Sequence, residues 1–397
     1  MVLSGEVEVN FELTFPRQVV FGSGRVAELG GLIAAFAQRA FVLTGSRALE
    51  RTGQLGRILE RLTEAGVVAV VIDCQTREPQ VEDVNRCAER IAGHGPGAGD
   101  CLLAVGGGSA IDLAKGVAAR LAHPEAGDIV EFLEGVGTGR RLTRETLPLV
   151  AVPTTAGTGA EATRNAVLSS LSPPFKKSLR SEKLLPRLVV VDPELTLWLP
   201  ATVTATTGLD AITQLVESYV SCRATPITRS LVATGLPGAV PALSRAYREP
   251  GHLPSRETLA RAALLSGMAL ANSGLGLAHG VAAALGIEAG VPHGLACAVL
   301  LPVAMRFNRP HRPEDFAQLG EWLSGRGHES PSAAAEAGVQ AVESLLSELG
   351  IPRRLRELGV ARERLPELAR QSRGNSLSGN PVPVEPDVLL RVLEEVW

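Results

Sequence analysis

The chain has 397 residues, 45% hydrophobic and 20% charged, so it is long enough for two or three domains and apolar enough to bury large cores. These values exclude a small disulfide-stabilised module and an intrinsically disordered chain. The formal net charge is −3 and no long basic block occurs, so we expect no nucleic-acid partner.

The N-terminal region, residues 1–15, carries three glutamates and lacks the positively charged start and apolar core of a secretory signal. No stretch reaches the roughly 18 uncharged apolar residues that a membrane span needs. The five cysteines form an odd number without CxxC spacing, which favours reduced core thiols over disulfides or a structural zinc site. We therefore expect a cytoplasmic protein without a membrane partner.

Short β-branched runs alternate with amphipathic stretches in the first half of the chain. The strand-like runs are residues 39–44, 67–72, 101–105, 149–152 and 188–191, and the helix-like stretches include residues 50–65, 81–92 and 111–121. Near-continuous apolar strands are typical of a parallel sheet buried on both faces. The pattern predicts a doubly wound, Rossmann-like α/β domain over residues 1–193.

Beyond residue 193 the β-branched runs give way to Ala- and Leu-rich helical patterns. The predicted helices are residues 205–220, 227–243, 255–272, 276–285, 293–307, 332–349 and 388–396. We therefore predict an all-α domain over residues 194–397, packed against the first domain with a ligand cleft between them.

Three consecutive glycines, Gly106, Gly107 and Gly108, lie between a predicted strand and a predicted helix. Glycine lets the backbone approach an anion closely, and a helix N-terminus offers free amide donors. The turn is therefore interpreted as a phosphate site, with an ordinary tight turn as the alternative. A GxGxxA match at Gly22 lacks the acidic residue expected about 20 residues later, so we interpret it as a turn into a helix.

A second predicted strand ends in a loop with three hydroxyls, Thr154, Thr155 and Thr158. Considered alone, this loop is as consistent with an ordinary connection as with a ligand site.

Four polar residues of the helical half are candidates for a metal site. Asp210 and Gln214 are four residues apart and share one helix face, while His279 and His293 stand beside glycines near helix ends. Carboxylate, amide and imidazole groups together suit a divalent cation. A capping pair and two packing histidines are the alternative.

In their order along the chain, these motifs resemble the iron-containing, or group III, alcohol dehydrogenases, whose fold is shared with dehydroquinate synthase and glycerol dehydrogenase. The matching segments are residues 21–24, 106–112, 153–161, 192–195, 208–210, 279–280, 292–294 and 379–383. The resemblance implies reversible hydride transfer between a small primary alcohol or aldehyde and NAD or NADP. It also implies a divalent metal, Fe²⁺ or Zn²⁺, as Lewis acid. We expect a homodimer.

The resemblance also implies which residues bind the cofactor. The pyrophosphate and nicotinamide contacts are expected at Gly106, Gly107, Gly108, Ser109, Asp112, Thr154, Thr155 and Thr158. Lys176 stands where a family lysine approaches the cofactor ribose. Gly45 follows the second strand, where NAD-selective members tend to carry an acid, so we expect NADP to be accepted.

The implied metal ligands are Asp210, Gln214, His279 and His293, and all but Gln214 are also implied to be catalytic. Two positions depart from the family pattern. Gln214 stands where the family carries a histidine, which is expected to weaken metal binding. Ala283 stands where the family carries a proton-relay histidine, so proton exchange is expected through water, a ribose hydroxyl or another group.

Other functions remain open on the sequence alone. Arg164, Asn165 and Arg180 suit an anionic aldehyde or oxo acid, as in phosphonoacetaldehyde reductases and the metal-free maleylacetate reductases. A sugar-phosphate cyclase shares the fold but normally needs a basic cluster that the helical half lacks. A non-catalytic binding protein is suggested only by Ala283.

Overall fold

The computed structural model describes residues 10–45, 47–74 and 77–397. The first nine residues, which belong to the region expected to carry no secretory signal, lie outside the described residues.

The strands of the described residues form one parallel sheet and one antiparallel hairpin. They are β1 (Gln18–Phe21), β2 (Arg39–Thr44), β3 (Val68–Cys74), β4 (Asp100–Gly106), β5 (Leu149–Pro153), β6 (Asn165–Leu171), β7 (Pro174–Arg180) and β8 (Leu188–Val191). The sheet has the order β1-β8-β5-β4-β2-β3, and every pairing in it is parallel. Strands β6 and β7 pair as the hairpin.

Helices cover both faces of this sheet. They are α1 (Leu29–Ala34), α2 (Ala48–Arg51), α3 (Gln54–Glu64), α4 (Val81–Ala92) and α5 (Gly108–Ala122). Along β2, Phe41 and Leu43 pack into the core formed with α4 and α5, whereas Ala40 and Val42 pack into the core formed with α1 and α3. Successive residues of a strand point to opposite faces of the sheet, so β2 presents apolar side chains on both faces. The predicted doubly wound α/β arrangement is confirmed.

From residue 201 onwards, the regular elements of the described chain are helices. They are α6 (Ala201–Val220), α7 (Pro226–Gly235), α8 (Ala239–Arg248), α9 (Leu253–Ser273), α10 (Leu277–Ala289), α11 (His293–Asn308), α12 (Pro313–Ser324), α13 (Pro331–Glu348), α14 (Leu365–Gln371) and α15 (Pro386–Val396). The predicted helical second half is confirmed. No single helix among the described residues is long and apolar enough to cross a membrane, and the pair α9 and α10, which passes by composition, is bent by 99°.

Two predicted helices are wrong in their continuity. The stretch 50–65 is divided between α2 and α3 at Gly53, and the stretch 227–243 between α7 and α8 at Gly238. Both glycines adopt a positive φ, 72° and 81°, which a continuing right-handed helix does not allow. Four further features, β1, the β6–β7 hairpin, α12 and α14, are not among the predicted elements.

A buried lysine ties α5 to the loop after β5. The Lys115 ammonium lies 2.6 Å from the carbonyl oxygen of Ala160, 2.7 Å from that of Thr163 and 3.0 Å from that of Asn165. Burial lowers the pKa of Lys115, while nearby Asp112 acts to raise it. These contacts satisfy the ammonium in a buried setting, where an unpaired charge would be very unfavourable.

We predict that Lys115→Met lowers the free energy of unfolding by about 3–5 kcal/mol, because it leaves several buried oxygens without their donor. Chemical denaturation followed by circular dichroism measures the change. Lys177→Met, on the partly exposed hairpin strand β7, serves as the control and should change stability by less than about 0.5 kcal/mol. Equal stability of the two variants would contradict the structural role of Lys115.

Candidate active site

Two loops meet where β4 and β5 end. The strands are parallel neighbours, so the glycine turn after β4 lies beside the threonine loop after β5. A Cβ added at Gly107 would lie 2.9 Å from Thr155 Oγ1, and one at Gly108 would lie 2.8 Å from Thr158 Oγ1. Glycine is thus required by the close approach of the loops.

Gly45 and Thr154 extend this contact. A Cβ at Gly106 would lie 2.7 Å from Gly45 Cα, and the Thr154 amide donates to the Gly106 carbonyl at 3.0 Å. The structure therefore brings the predicted cofactor residues of three strand ends together.

The N-terminus of α5 offers free donors to a cavity. Its first N–H groups, those of Gly108 and Ser109, have no acceptor in the part of the chain that the structure describes, and no side chain caps the helix. Asp112 Oδ2 accepts from the Val167 amide at 3.2 Å, but Oδ1 is buried without a partner among the described residues. Burial raises the pKa of Asp112. Free amides and an unpartnered carboxyl oxygen suit a ligand that both accepts and donates hydrogen bonds.

Lys176 reaches the same cavity from strand β7. Its ammonium lies 2.7 Å from Glu78 Oε1 and is largely buried. This positive charge acts to lower the pKa of both Asp112 and His293. Lys176 therefore lies near residues of both predicted sets, and all three side chains line the same cavity.

Three of the predicted metal ligands converge from three helices. Asp210 lies in the middle of α6, His279 in the first turn of α10 and His293 at the start of α11. Asp210 Oδ1 is 3.2 Å from His279 Nε2 and 3.8 Å from His293 Nε2. Burial lowers the pKa of His293 to about 4, which leaves its imidazole neutral at physiological pH. These distances bring one carboxylate and two imidazoles to a single point.

Gln214, the remaining predicted ligand, is engaged elsewhere. Its Nε2 donates to the Thr158 carbonyl at 3.3 Å, and its Oε1 accepts from Ser266 Oγ at 2.6 Å. A carbonyl oxygen only accepts, so the contact with Thr158 fixes which end of the amide is nitrogen. No hydrogen bond joins Gln214 to Asp210, His279 or His293 in the described chain.

A fifth side chain, Glu217, fixes the orientation of His279. One of its carboxylate oxygens accepts from the Ala278 amide at 2.6 Å, and the other from the Gly276 amide at 3.0 Å and from His279 Nδ1 at 2.7 Å. The sequence analysis missed this residue. Its spacing of seven residues from Asp210, which puts both carboxylates on one face of α6, is the signal that indicates it.

Both ring nitrogens of His279 consequently face carboxylates, Asp210 and Glu217. Burial acts to lower the pKa of His279, but Cys297, Asp210 and Glu217 together raise it well above the usual value. Either a buried imidazolium or a cation beside Nε2 satisfies this arrangement. The second matches metal-binding histidines, which donate their other N–H to a carboxylate.

Cys297 completes the cluster and was also missed, because the cysteines were interpreted as core thiols. It is buried and unpaired one turn after His293 on α11, with its Sγ 3.7 Å from His293 Nε2. Ligand atoms of Asp210, His279, His293 and Cys297 all lie within 4.8 Å of one another. Burial raises the pKa of the Cys297 thiol to about 12.

One cavity of about 360 Å³ joins the two sets of residues. Of the predicted site residues, it is lined by Gly108, Ser109, Asp112, Thr158, Lys176, Gln214, His279 and His293, and also by Ala283. Gly45, Gly106, Gly107, Thr154 and Thr155 lie at the adjoining strand ends, and Asp210 lies beneath the two histidines. The cavity size is typical of small-molecule sites.

Three arginines, Arg164, Arg180 and Arg223, also line the cavity. Arg164 and Arg180, predicted to meet an anion, pair with Glu182 at 3.5 Å and Glu134 at 2.8 Å. Arg223, which the sequence analysis did not single out, also lines the cavity. Its guanidinium donates to the Asn375 carbonyl and to Ser378 Oγ.

Comparison with known proteins identifies the family. Residues 16–193 match the family described as iron-containing alcohol dehydrogenase, and residues 204–397 match its C-terminal region. The chain is 35% identical over 377 residues to 1,3-propanediol dehydrogenase of Citrobacter freundii, covering 94% of this chain and 95% of that protein. The chain belongs to the iron-containing alcohol dehydrogenase family.

Two further relatives name their cofactors. NADPH-dependent butanol dehydrogenase of Clostridium saccharobutylicum is 29% identical and covers 97% of each chain. Sulfoacetaldehyde reductase of Bifidobacterium kashiwanohense, solved in complex with NAD⁺, superposes with a TM-score of 0.85 at 29% identity over 98% of each chain. Membership of the family makes this chain an oxidoreductase, as the motifs predict.

For this alcohol dehydrogenase we predict that Glu217→Ala lowers the affinity of the Asp210–His279–His293 cluster for a divalent metal by about 10–100-fold, because His279 loses the carboxylate that orients it. Chelator-competition titration with Zn²⁺ measures the affinity. Glu288→Ala is the matched control, since Glu288 lies near the other end of α10 and pairs with Arg364. Equal affinities for both variants would contradict the orienting role.

Proposed function

We propose that this enzyme interconverts small aldehydes and primary alcohols by hydride transfer with NAD(P)(H), assisted by a divalent metal. One observation carries the proposal: the free N-terminus of α5 and the imidazoles of His279 and His293 line the same cavity. Hydride transfer requires the cofactor and the carbonyl substrate to meet in one enclosed space. The proposal uses the residues that the motifs indicate.

The cofactor is proposed to bind across the two loops. Its pyrophosphate lies at the N–H groups of Gly108 and Ser109, where the helix dipole favours negative charge. Asp112 Oδ1 accepts a hydrogen bond from a cofactor hydroxyl or amide, and Lys176 lies beside the ribose. Gly45 brings no negative charge to the end of β2, so both NADP and NAD are accepted.

Asp210, His279 and His293 are proposed to hold the metal, Fe²⁺ or Zn²⁺. When bound there, a divalent metal polarises the substrate carbonyl as a Lewis acid. The protein's own contribution is to keep His293 neutral through burial and to fix the His279 ring through Glu217. Ala283 lines the cavity without a titratable group, so the alcohol proton is exchanged with water or a cofactor hydroxyl.

A second candidate substrate class is an aldehyde with a distal anionic group. Arg223 favours it, because this guanidinium lines the cavity and has no carboxylate partner among the described residues. The similarity to a sulfoacetaldehyde reductase supports the same class.

Three further expectations stay predictions: the domain division between residues 193 and 194, a homodimer, and a cytoplasmic location. Nothing in the chemistry of the cavity depends on them.

We predict that the Zn²⁺- or Fe²⁺-loaded enzyme oxidises NADPH and NADH in the presence of short unbranched aldehydes, measured by the absorbance of the reduced cofactor. Sulfoacetaldehyde in the same panel distinguishes the second class. If it is preferred, Arg223→Gln should raise its KM at least tenfold and leave that of the uncharged aldehydes unchanged. Absence of turnover with every aldehyde and both cofactors would refute the proposed function.

We also predict that Gly107→Val raises the Kd for NADPH at least tenfold, since its Cβ would lie 2.9 Å from Thr155 Oγ1 and push the two loops apart. Fluorescence titration of NADPH measures the affinity. Gly97→Val, at an exposed position with open space around the added Cβ, is the control and should bind as the parent does. Unchanged affinity in Gly107→Val would remove the pyrophosphate assignment.

A further inference from the structure

The sequence predicts Gln214 as the fourth metal ligand, but Cys297 is the residue that lies with Asp210, His279 and His293. Gln214 lies one helical turn from Asp210 on α6, but its amide is held by Thr158 and Ser266. Cys297 lies one turn from His293 on α11, and its sulfur belongs to the cluster. Both residues flank a ligand at a spacing of four, so either helix is able to present a pair of ligands on one face.

The distances within the cluster fit a single bound ion. Ligand atoms at about 2.0–2.3 Å from a tetrahedral zinc ion lie about 3.3–3.8 Å from one another. Three of the six corresponding separations are 3.2 Å from Asp210 Oδ1 to His279 Nε2, 3.8 Å from Asp210 Oδ1 to His293 Nε2, and 3.7 Å from His293 Nε2 to Cys297 Sγ, and all six lie within 4.8 Å. The thiol sulfur therefore occupies a place expected of a ligand.

The two candidate donors differ in chemistry. A thiolate is anionic and soft, and it is a ligand that zinc prefers in proteins, whereas a neutral amide oxygen suits hard cations. One lone pair of the Gln214 amide oxygen is already used by Ser266, while the contact of Cys297 with His293 is at most a weak S–H···N hydrogen bond.

We propose that Cys297, rather than Gln214, supplies the fourth protein ligand of the metal, which would take the substrate carbonyl as a fifth ligand, and that the thiolate makes the site select zinc over iron. The inference rests on the proposed function only in assuming that Asp210, His279 and His293 hold a metal. On binding, the Cys297 sulfur loses its proton to solvent and its lone pair bonds to the cation, so no oxidant or reductant is required.

Cobalt substitution tests the ligand directly, with a readout independent of activity. Apoenzyme titrated with Co²⁺ should develop a near-ultraviolet sulfur-to-cobalt charge-transfer band together with visible d–d bands. Cys297→Ser should keep the d–d bands and lose the charge-transfer band. Cys101→Ser, which changes another buried thiol in β4 far along the chain from the cluster, should retain both.

Metal competition tests the selectivity. Chelator-buffered titrations should show that Cys297→Ser lowers Zn²⁺ affinity at least tenfold and Fe²⁺ affinity by a smaller factor, so the preference for zinc narrows. NADPH binding and the melting temperature, measured on the same sample, establish that the variant is folded. If the serine variant does not fold, Cys297→Ala is used in the same way.

The outcomes separate this inference from the proposed function. Stoichiometric Co²⁺ binding without a charge-transfer band, or a band that survives in Cys297→Ser, overturns Cys297 as a ligand and leaves the metal site intact. A band with equal zinc and iron affinities overturns the selectivity. Failure of the parent enzyme to bind any of the three metals overturns both the inference and the metal-assisted function.

Discussion

The geometry of the proposed metal site depends on the hydrogen bonds that the buried carboxylate of Glu217 accepts. It accepts the Gly276 and Ala278 amides, which would otherwise be unsatisfied at the start of α10, and it accepts from His279 Nδ1. The same helix, α6, carries Asp210 seven residues earlier. One rigid element therefore positions both a ligand and the group that orients a second ligand, so a shift of α10 against α6 would disturb the helix end and the cluster together.

The buried ammonium of Lys115 connects structural elements near the cofactor turn in a similar way. Lys115 links α5 to the loop after β5 through the carbonyls of Ala160 and Thr163. This loop also contains Thr158, whose side chain packs against Gly108 and whose carbonyl accepts from Gln214. A chain of direct contacts thus runs from the cofactor turn through the threonine loop to the helix that carries Asp210. Polar contacts of a few buried groups therefore fix the position of the glycine turn relative to Asp210.

The sequence predicted what depends on local pattern. Buried parallel strands are continuous apolar runs, and the predicted bounds of β2 and β8 match the structure; Asp210, His279 and His293 followed from motif order. The β6–β7 hairpin was missed because β6 alternates in burial, β7 is mostly only partly buried, and the two strands include serines and lysines, so neither gives a strong apolar run. Glu217 and Cys297 were missed for another reason. Spacing alone puts Glu217 on the helix face of Asp210 and Cys297 on the helix face of His293. Their contacts with the other site residues also depend on how α6, α10 and α11 are rotated against one another, which spacing within one helix does not give.

Gln214 shows how a polar residue in a site can serve to connect structural elements, since its amide contacts Thr158 and Ser266. An apolar side chain there would leave the Thr158 carbonyl without this donor in a buried setting, at a cost of about 1–3 kcal/mol, whereas Ser266 Oγ would keep the Ala263 carbonyl as its acceptor. An amide satisfies both, because one end donates and the other accepts. If Cys297 on α11 supplies the fourth ligand, as proposed, the metal does not require one from Gln214 on α6. The residue is then free to join the cofactor loop to the metal-binding helix, a contact that a metal-bound histidine would not make in the same way.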